Sequence, residues 1–168
     1  MNPIDVRDLL DQPGSSRAVH VDEIGPELRL GLASVPEDAP IVSDLLLESV
    51  VEGILASGPM CGRLALSCAR CLREFEEAFG LQVQELFSRD AGPEGEEYPL
   101  SAEGSIDIEP MVRDAVLLAV PFSPLCRPDC RGLCERCGAD RNLGQCTCTT
   151  EETDPRWAAL DGLFQELR

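Results

Sequence analysis

The sequence contains no lysine, and all 14 of its basic residues are arginine. They stand against 31 acidic residues, which gives a formal net charge of −17. Proteins that bind nucleic acid without specificity neutralise phosphates with many clustered cations, so this composition disfavours a broad phosphate-binding face. Such acidity favours high solubility or a basic protein partner.

Aromatic residues are also few, with five Phe, one Trp and one Tyr in 168 residues. The 43% hydrophobic content is ordinary for a globular protein, which argues against wholesale disorder. The core must therefore be mainly aliphatic. A chain of this length can bury enough surface to fold as one domain, or as one domain with an appendage.

Long hydrophobic runs are missing as well. The longest uninterrupted apolar stretch covers 115–120, whereas a membrane-spanning helix needs about 20 residues. No basic region followed by an apolar run begins the sequence, so we expect no secretory signal and a cytoplasmic location.

The equipment for catalysis is scarce. His20 is the single histidine, and a surface or packed position for it is more common than a role as general base. No Ser/His/Asp arrangement can be assembled, so we expect no enzyme, no catalytic residue and no small-molecule substrate.

Alternating apolar residues predict an antiparallel arrangement of strands. One strand is expected from Leu45 to a turn at Ser57, Gly58 and Pro59, and a second from Leu64 to Cys68. Apolar side chains at odd positions from Phe75 to Phe87 predict a third, half-buried strand. The expected fold class is α+β, with an antiparallel β-meander or a partly closed β-barrel, two helices and a small cysteine-rich segment.

Three parts are expected along the chain. The first, 1–125, is a β-rich body that includes an acidic, solvated loop at about 88–105 and a helix at about 109–120, which Pro121 ends. The second, 126–150, is a metal-binding segment. The third, 151–168, is an amphipathic helix, since its apolar residues recur with helical spacing, and it packs on the sheet or binds a partner.

Cysteine provides the strongest signal, because eight of the nine cysteines form four close pairs. Two thiolates separated by two residues can turn inward around one ion, and tetrahedral Zn²⁺ requires a second such pair. The reducing conditions expected in the cytoplasm favour metal over disulfides. The ninth, Cys61, is interpreted as a buried apolar residue. The pairs are Cys68/Cys71, Cys126/Cys130, Cys134/Cys137 and Cys146/Cys148.

Four pairs predict two zinc ions. Only eight residues separate Cys137 from Cys146, so the last two pairs are expected to form one local site. The pair Cys68/Cys71 would then join Cys126/Cys130 and attach the C-terminal segment to the sheet. An alternative places a single ion among the six C-terminal cysteines and leaves Cys68/Cys71 as a dithiol.

Sites with four cysteine ligands leave no position open for water or substrate, so these zinc ions would be structural. A zinc-stabilised protein-interaction module or redox-sensing regulator that uses Cys68 and Cys71 is the alternative. Redox motifs of this spacing usually open a helix after a strand, whereas extended patterns flank this pair on both sides.

Arginines recur through the predicted metal-binding segment, which makes it the one locally arginine-rich part of the chain. Hydrogen bonding within the ligand loops is one role for these side chains, and contact with RNA is the other. The four are Arg127, Arg131, Arg136 and Arg141.

Several ordered segments resemble the YceD family, the large ribosomal RNA subunit accumulation proteins. Together they span about 44–160, and the lysine-free pattern resembles actinobacterial members. The segments are SCARCL (67–72), DIEPMVRDAVLLAVP (107–121), PLCRPDCRGLCERCG (124–138) and DPRWAAL (154–160).

The resemblance implies a bacterial or plastid factor needed for accumulation of 23S ribosomal RNA, and so for assembly of the large ribosomal subunit. It supplies no catalytic residue. The implied partner is large-subunit RNA or a precursor particle, which the protein would contact directly or through a basic ribosomal protein.

Overall fold

In the computed structural model the chain is described at residues 1–36, 38–92, 97–144 and 146–148. Nine strands, one α-helix and one turn of 3₁₀-helix at Arg141–Leu143 lie in these ranges. In chain order they are β1 (Ile4–Asp5), β2 (Ser16–Ile24), β3 (Arg29–Leu30), β4 (Ala33–Ser34), β5 (Pro40–Ser49), β6 (Gly53–Ser67), β7 (Glu74–Ser88), β8 (Tyr98–Pro99), β9 (Ser105–Ile106) and α1 (Glu109–Ala119).

The main sheet is an antiparallel meander, as predicted. Strands β5, β6 and β7 follow one another along the chain and pair in that order, and β2 pairs with the outer edge of β5. Strand β4 continues along the edge of β6 beyond β5, and β8 joins the end of β7 in parallel. Among the described residues no pairing joins β2 to β8, so the sheet is open and no closed barrel forms.

The core lies on one face of this sheet. Side chains at odd positions of β5, even positions of β6 and odd positions of β7 point inward, which is the period-two alternation of a half-buried sheet. Helix α1 covers this face with Met111, Val112 and Val116, each no more than 1% exposed. The short β1–β9 pair packs beside it. The core is aliphatic apart from Phe87 among its fully buried side chains.

The predicted turn at Gly58 and Pro59 is wrong. The chain instead turns between Val50 and Gly53, which exchange two backbone hydrogen bonds of 2.9 and 3.3 Å, and Gly58 and Pro59 lie inside β6. Pro59 has no N–H to donate, and here the ladder between β5 and β6 is interrupted. The Ser43 hydroxyl donates to the Pro59 carbonyl at 2.8 Å and restores one link.

Helix α1 matches the predicted helix at about 109–120, with Pro110 in its first turn and Pro121 just beyond its end. The predicted acidic loop at about 88–105 contains the short strand β8, and β9 begins at its end. Within the described residues α1 is the one α-helix, and the predicted helix at 151–168 lies outside them.

Candidate metal centres

The structure gathers the eight paired cysteines into two groups of four that could each hold a metal ion. The first cysteine group unites the turn after β6 with the segment after α1, and the second is formed within 134–148. In each group all four sulfur atoms lie within 4.8 Å of one another. The first consists of Cys68, Cys71, Cys126 and Cys130, and the second of Cys134, Cys137, Cys146 and Cys148.

The sulfur spacing suits a tetrahedral ion. Cys68 Sγ lies 3.7 Å from Cys130 Sγ, and Cys71 Sγ lies 3.6 Å from Cys126 Sγ. Zinc–sulfur bonds of about 2.3 Å at tetrahedral angles place sulfur atoms about 3.8 Å apart. All nine cysteines are free thiols, because none forms a disulfide.

The two groups share one turn geometry. In the first, the Leu72 N–H donates to the Cys68 carbonyl at 2.9 Å, and in the second the Gly138 N–H donates to the Cys134 carbonyl at 2.8 Å. Leu72 and Gly138 both have left-handed backbones, with φ of 58° and 70°. This turn directs both cysteines of a pair toward one point, as metal-binding knuckles require.

Backbone N–H groups make the leading thiol of each knuckle more acidic. Burial raises the pKa of Cys68, but the N–H groups of Cys126, Cys71 and Arg70 outweigh it and lower that pKa to about 6. The N–H groups of Cys137 and Arg136 lower the pKa of Cys134 to about 6 in the same way. A low pKa favours the thiolate, which is the form that binds metal.

One later thiol in each group has a raised pKa instead. Burial, and then hydrogen bonds with neighbouring thiols, raise the pKa of Cys126 to about 12. Hydrogen bonds with Cys137 and Cys146, together with burial, raise that of Cys148 to about 12. Four sulfurs this close cannot all be ionised unless a cation lies among them, so each group fits a divalent metal ion.

The first group attaches 124–133 to the sheet. The Ala69 N–H donates to Pro124 O at 2.8 Å, and the Leu133 N–H donates to Arg70 O at 3.0 Å. The Arg70 guanidinium also donates to Cys130 O at 2.8 Å. Gly132 is required here, because its φ is +72° and a Cβ would lie 3.0 Å from Arg70 O.

Asn142 is a functional candidate that the sequence reasoning missed. Its Nδ2 donates to Cys130 Sγ at 3.5 Å, so a residue that lies between Cys137 and Cys146 of the second cysteine group contacts the first. Its Oδ1 accepts from the Arg131 N–H at 2.8 Å and from the Arg127 guanidinium at 2.7 Å. The cysteine spacing carries no signal for this residue, although Asp140 two positions earlier is a usual turn former and accepts its N–H at 2.8 Å.

The four predicted arginines surround these centres but play different parts. Arg127 contacts Asn142 and Asp129, and Arg141 is half-buried and donates its backbone N–H to Gly132 O at 3.0 Å. Arg131 and Arg136 are exposed. At least Arg127 therefore has the structural role expected of a ligand-loop arginine.

Cys61 and His20 belong to neither cysteine group. Cys61 is exposed on β6, so its interpretation as a buried residue is wrong: odd positions of that strand face solvent. His20 is exposed on β2, and its Nδ1 lies 2.7 Å from Asp44 Oδ1. Among the described residues, none of the helices has the length and apolar character to cross a membrane.

Comparison with known proteins agrees with these features. The profile of the family described as large ribosomal RNA subunit accumulation protein YceD matches residues 56–164, which include all eight paired cysteines. The chain belongs to the YceD family. No solved structure matches it.

Several relatives of this YceD protein are known by sequence. An uncharacterized protein of Mycobacterium tuberculosis is 35% identical over 164 residues, which are 94% of this chain and 78% of the relative. The large ribosomal RNA subunit accumulation protein YCED homolog 1, chloroplastic, of Zea mays is 41% identical over 66 residues, 39% of this chain and 22% of the relative. An uncharacterized protein of Bacillus subtilis is 27% identical over 108 residues, with 62% and 63% covered.

Proposed function

We propose that this protein is a non-catalytic factor that promotes accumulation of 23S ribosomal RNA and assembly of the large ribosomal subunit, and that it carries two structural zinc ions. The observation that supports this best is the pair of four-cysteine groups in a member of the YceD family. The plant relatives are named large ribosomal RNA subunit accumulation proteins, which supports a role in this process. Assembly of bacterial ribosomes would place the protein in the cytoplasm.

Zinc fits both groups for the same reasons. Four thiolates at tetrahedral spacing favour Zn²⁺ over the hard cations that prefer oxygen. Four protein ligands leave no open position, so the ions would stabilise the fold. Zinc in the first group would fix 124–133 against the turn after β6, and zinc in the second would close the loop between Cys134 and Cys148.

A non-catalytic role is supported by the position of the single histidine. The single histidine lies on β2 and pairs with Asp44 at the exposed surface. Among the described residues the hydrogen-bond partner of its imidazole is a carboxylate, whereas hydrolytic sites place a base in contact with a nucleophile. We therefore propose neither a substrate nor a reaction.

The redox alternative has weaker support. Cys68 is 0% exposed and lies with three other thiols, so an oxidant or a partner thiol would have to displace the loop at 124–133 to reach it. Redox-sensing cysteines are generally accessible. The geometry favours a metal-binding role for Cys68 and Cys71.

Arginines near the second group are the proposed RNA contact, either direct or beside a basic ribosomal protein. Arg131 and Arg136 are exposed, and Arg141 is half-buried. A chain of −17 net charge can bind RNA only where its cations are concentrated. The direct contact is tested by ultraviolet crosslinking of R136E plus R141E, with R89E plus R113E as the control of equal charge change.

Loss of the crosslink in the first double variant alone supports contact through the cysteine-rich segment. A crosslink that survives in it, or that falls equally in the control, contradicts that contact. Co-purification of a basic protein after nuclease treatment would show that RNA is reached through a protein.

The experiment that tests the function is depletion of the protein from its host, followed by the ratio of 23S to 16S ribosomal RNA and a sucrose-gradient profile. A selective fall in 23S RNA and in large subunits is expected, and wild-type protein should restore both. An unchanged ratio would contradict the assembly role, whereas the two zinc ions are a separate proposal that this experiment does not test.

A further inference from the structure

The outer edge of β7 is the longest strand edge left without a partner in the described part of the chain. Strand β7 pairs with β6 along its whole length, but on its other side only Phe87 and Ser88 are paired, with β8. From 74 to 84 that edge pairs with no strand in the described ranges. Backbone N–H and C=O groups along such an edge can accept another strand.

An apolar groove runs beside this edge. It measures about 530 Å³ and lies between β7 and α1. Phe79, Leu81 and Val83 form its wall on the strand side, and Leu118 of α1 stands opposite, 89% exposed. The space beside Gly80 is open, since a Cβ there would meet no atom within 4 Å. A strand added to β7 would place every second side chain in this groove.

The charges around the groove are negative. Glu85 and Asp114 line it, and Glu77 lies on the same face of β7 beyond Phe79. Glu74 and Glu76 occupy the opposite face of the strand, where Glu76 already pairs with Arg63 at 3.0 Å. No arginine is among the described residues that line the groove.

These charges distinguish between occupants. A second copy of this chain would bring its own glutamates opposite these, and like charges on adjacent strands are destabilising. RNA would be repelled for the same reason. A peptide rich in arginine or lysine would instead pair with these carboxylates. Such pairing increases the association rate and the specificity of a complex that backbone hydrogen bonds also hold.

We propose that the β7 edge and its groove bind an extended segment of a partner protein by strand addition, in which a few alternating apolar residues are flanked by basic ones. That the partner belongs to ribosome assembly rests on the proposed function. The binding surface itself is inferred from the strand pairing, the groove and the charges. Peptides that add a strand to a sheet edge gain affinity from the main chain and specificity from alternate side-chain pockets.

The test uses the full chain loaded with zinc and a fluorescent twelve-residue peptide with alternating Val and Thr in its centre and two Arg at each end. Fluorescence anisotropy should show saturable binding, and the same peptide with citrulline in place of Arg should bind at least about tenfold more weakly. Hydrogen exchange should show new protection of amides at 74–84 in the complex.

Two variants distinguish a loss of the binding surface from a loss of folding. L118R should weaken peptide binding at least about tenfold, since it removes an apolar contact and adds a like charge. V51R makes the same charge change at an aliphatic residue that is 88% exposed in the turn between β5 and β6, and it should bind as the wild type does. Both changes are at exposed positions, so both variants should keep the wild-type melting temperature.

The proposal is overturned if the zinc-loaded chain does not bind the peptide, if L118R binds it as well as V51R, or if 74–84 gain no protection. Edge-to-edge dimers in sedimentation that L118R abolishes would replace the peptide with a second copy. The 23S to 16S ratio is read separately in cells that carry each variant. If the ratio depends on the protein but the peptide does not bind, the proposed function is retained and the proposed binding surface is rejected.

Discussion

Leu72 and Gly138 occupy the same place in two matching turns, one directly after Cys71 and the other directly after Cys137. Each donates its N–H to the carbonyl of the first cysteine of its pair, and each has a left-handed backbone. Glycine adopts that conformation without strain, whereas leucine does so at a cost of about 1–2 kcal/mol. Leu72 is 61% exposed, so packing of its side chain gives little back.

Substitutions that interchange leucine and glycine at these two positions should differ in their effect on stability. L72G should leave the free energy of unfolding unchanged or raise it by up to about 1 kcal/mol, because relief of strain offsets the extra freedom of glycine in the unfolded chain. G138L should lower it by about 1–2 kcal/mol. Thermal denaturation of the zinc-loaded proteins measures both. A clear loss of stability in L72G would show that its side chain contributes contacts that outweigh the strain.

Metal content is expected to follow the two cysteine groups. Elemental analysis of the purified chain should give two zinc ions, and C130S and C134S should each give one, because three thiolates hold Zn²⁺ much less tightly than four. C61S is the matched control, since Cys61 is exposed and belongs to neither group. One ion in the wild type, with two reactive thiols at Cys68 and Cys71, would contradict the first centre.

Asn142 is expected to tune the first centre from outside its ligand set. N142A removes the N–H that reaches Cys130 Sγ, and it should weaken zinc at the first group by roughly tenfold or more in competition with a chelator. N142D keeps the acceptor for Arg127 but places a carboxylate beside the thiolate, so it should weaken binding further. The control is N2A, because Asn2 hydrogen-bonds with half-buried Glu23 of β2. Equal zinc release from N142A and N2A would exclude this role.

His20 offers a pH-dependent prediction. Its hydrogen bond with Asp44 raises the pKa of the imidazole above its ordinary value. The pair therefore adds stability that is complete below the unfolded pKa and disappears as pH rises through the folded pKa. Because it is the single histidine, its ring proton resonances give the titration directly, and D44N should lower the pKa of the imidazole. The contribution should be small, as for exposed ion pairs generally; identical titrations of the two proteins would contradict the pairing.

Gly58 should tolerate no side chain. A Cβ there would lie 2.1 Å from Asp44 O on the neighbouring strand, so G58A should cost about 3 kcal/mol or more in unfolding free energy. G80A provides the comparison in β7, where a Cβ meets nothing within 4 Å, and it should change stability by less than about 1 kcal/mol. Equal melting temperatures for the two variants would rule out this close approach.

Local patterns were enough to predict some elements and misleading for others. The alternation from Phe75 to Phe87 predicted β7, and the apolar stripe between Pro110 and Pro121 predicted α1. The predicted turn is misplaced because Gly and Pro are usually turn residues, whereas here Gly58 permits close approach of two strands and Pro59 lies where their ladder is interrupted. The buried positions change from odd in β5 to even in β6, and that change of parity marks the true turn at Val50–Gly53.

The grouping of the cysteines follows from spacing, but the residues around them do not. Asn142 reaches Cys130 only because the chain returns at Leu133 and Asp140, which form an isolated antiparallel bridge. The open β7 edge depends on how β8 ends after two pairs, which no local pattern in β7 predicts. Such features arise from long-range placement, where single-sequence reasoning has least information.

The first cysteine group also sets an order of events during synthesis. Cys68 and Cys130 are 62 residues apart, and the loop between them contains β7, β8, β9 and α1. A cross-link that closes a loop of this length removes about 4 kcal/mol of entropy from the unfolded chain by the loop-closure model used for disulfides. The hairpins of β5, β6 and β7 can form as soon as they leave the ribosome, but this metal site must wait until residue 130 has emerged. Binding of the proposed zinc ion would therefore be a late step, and it would fix 124–133 against a sheet that has already formed.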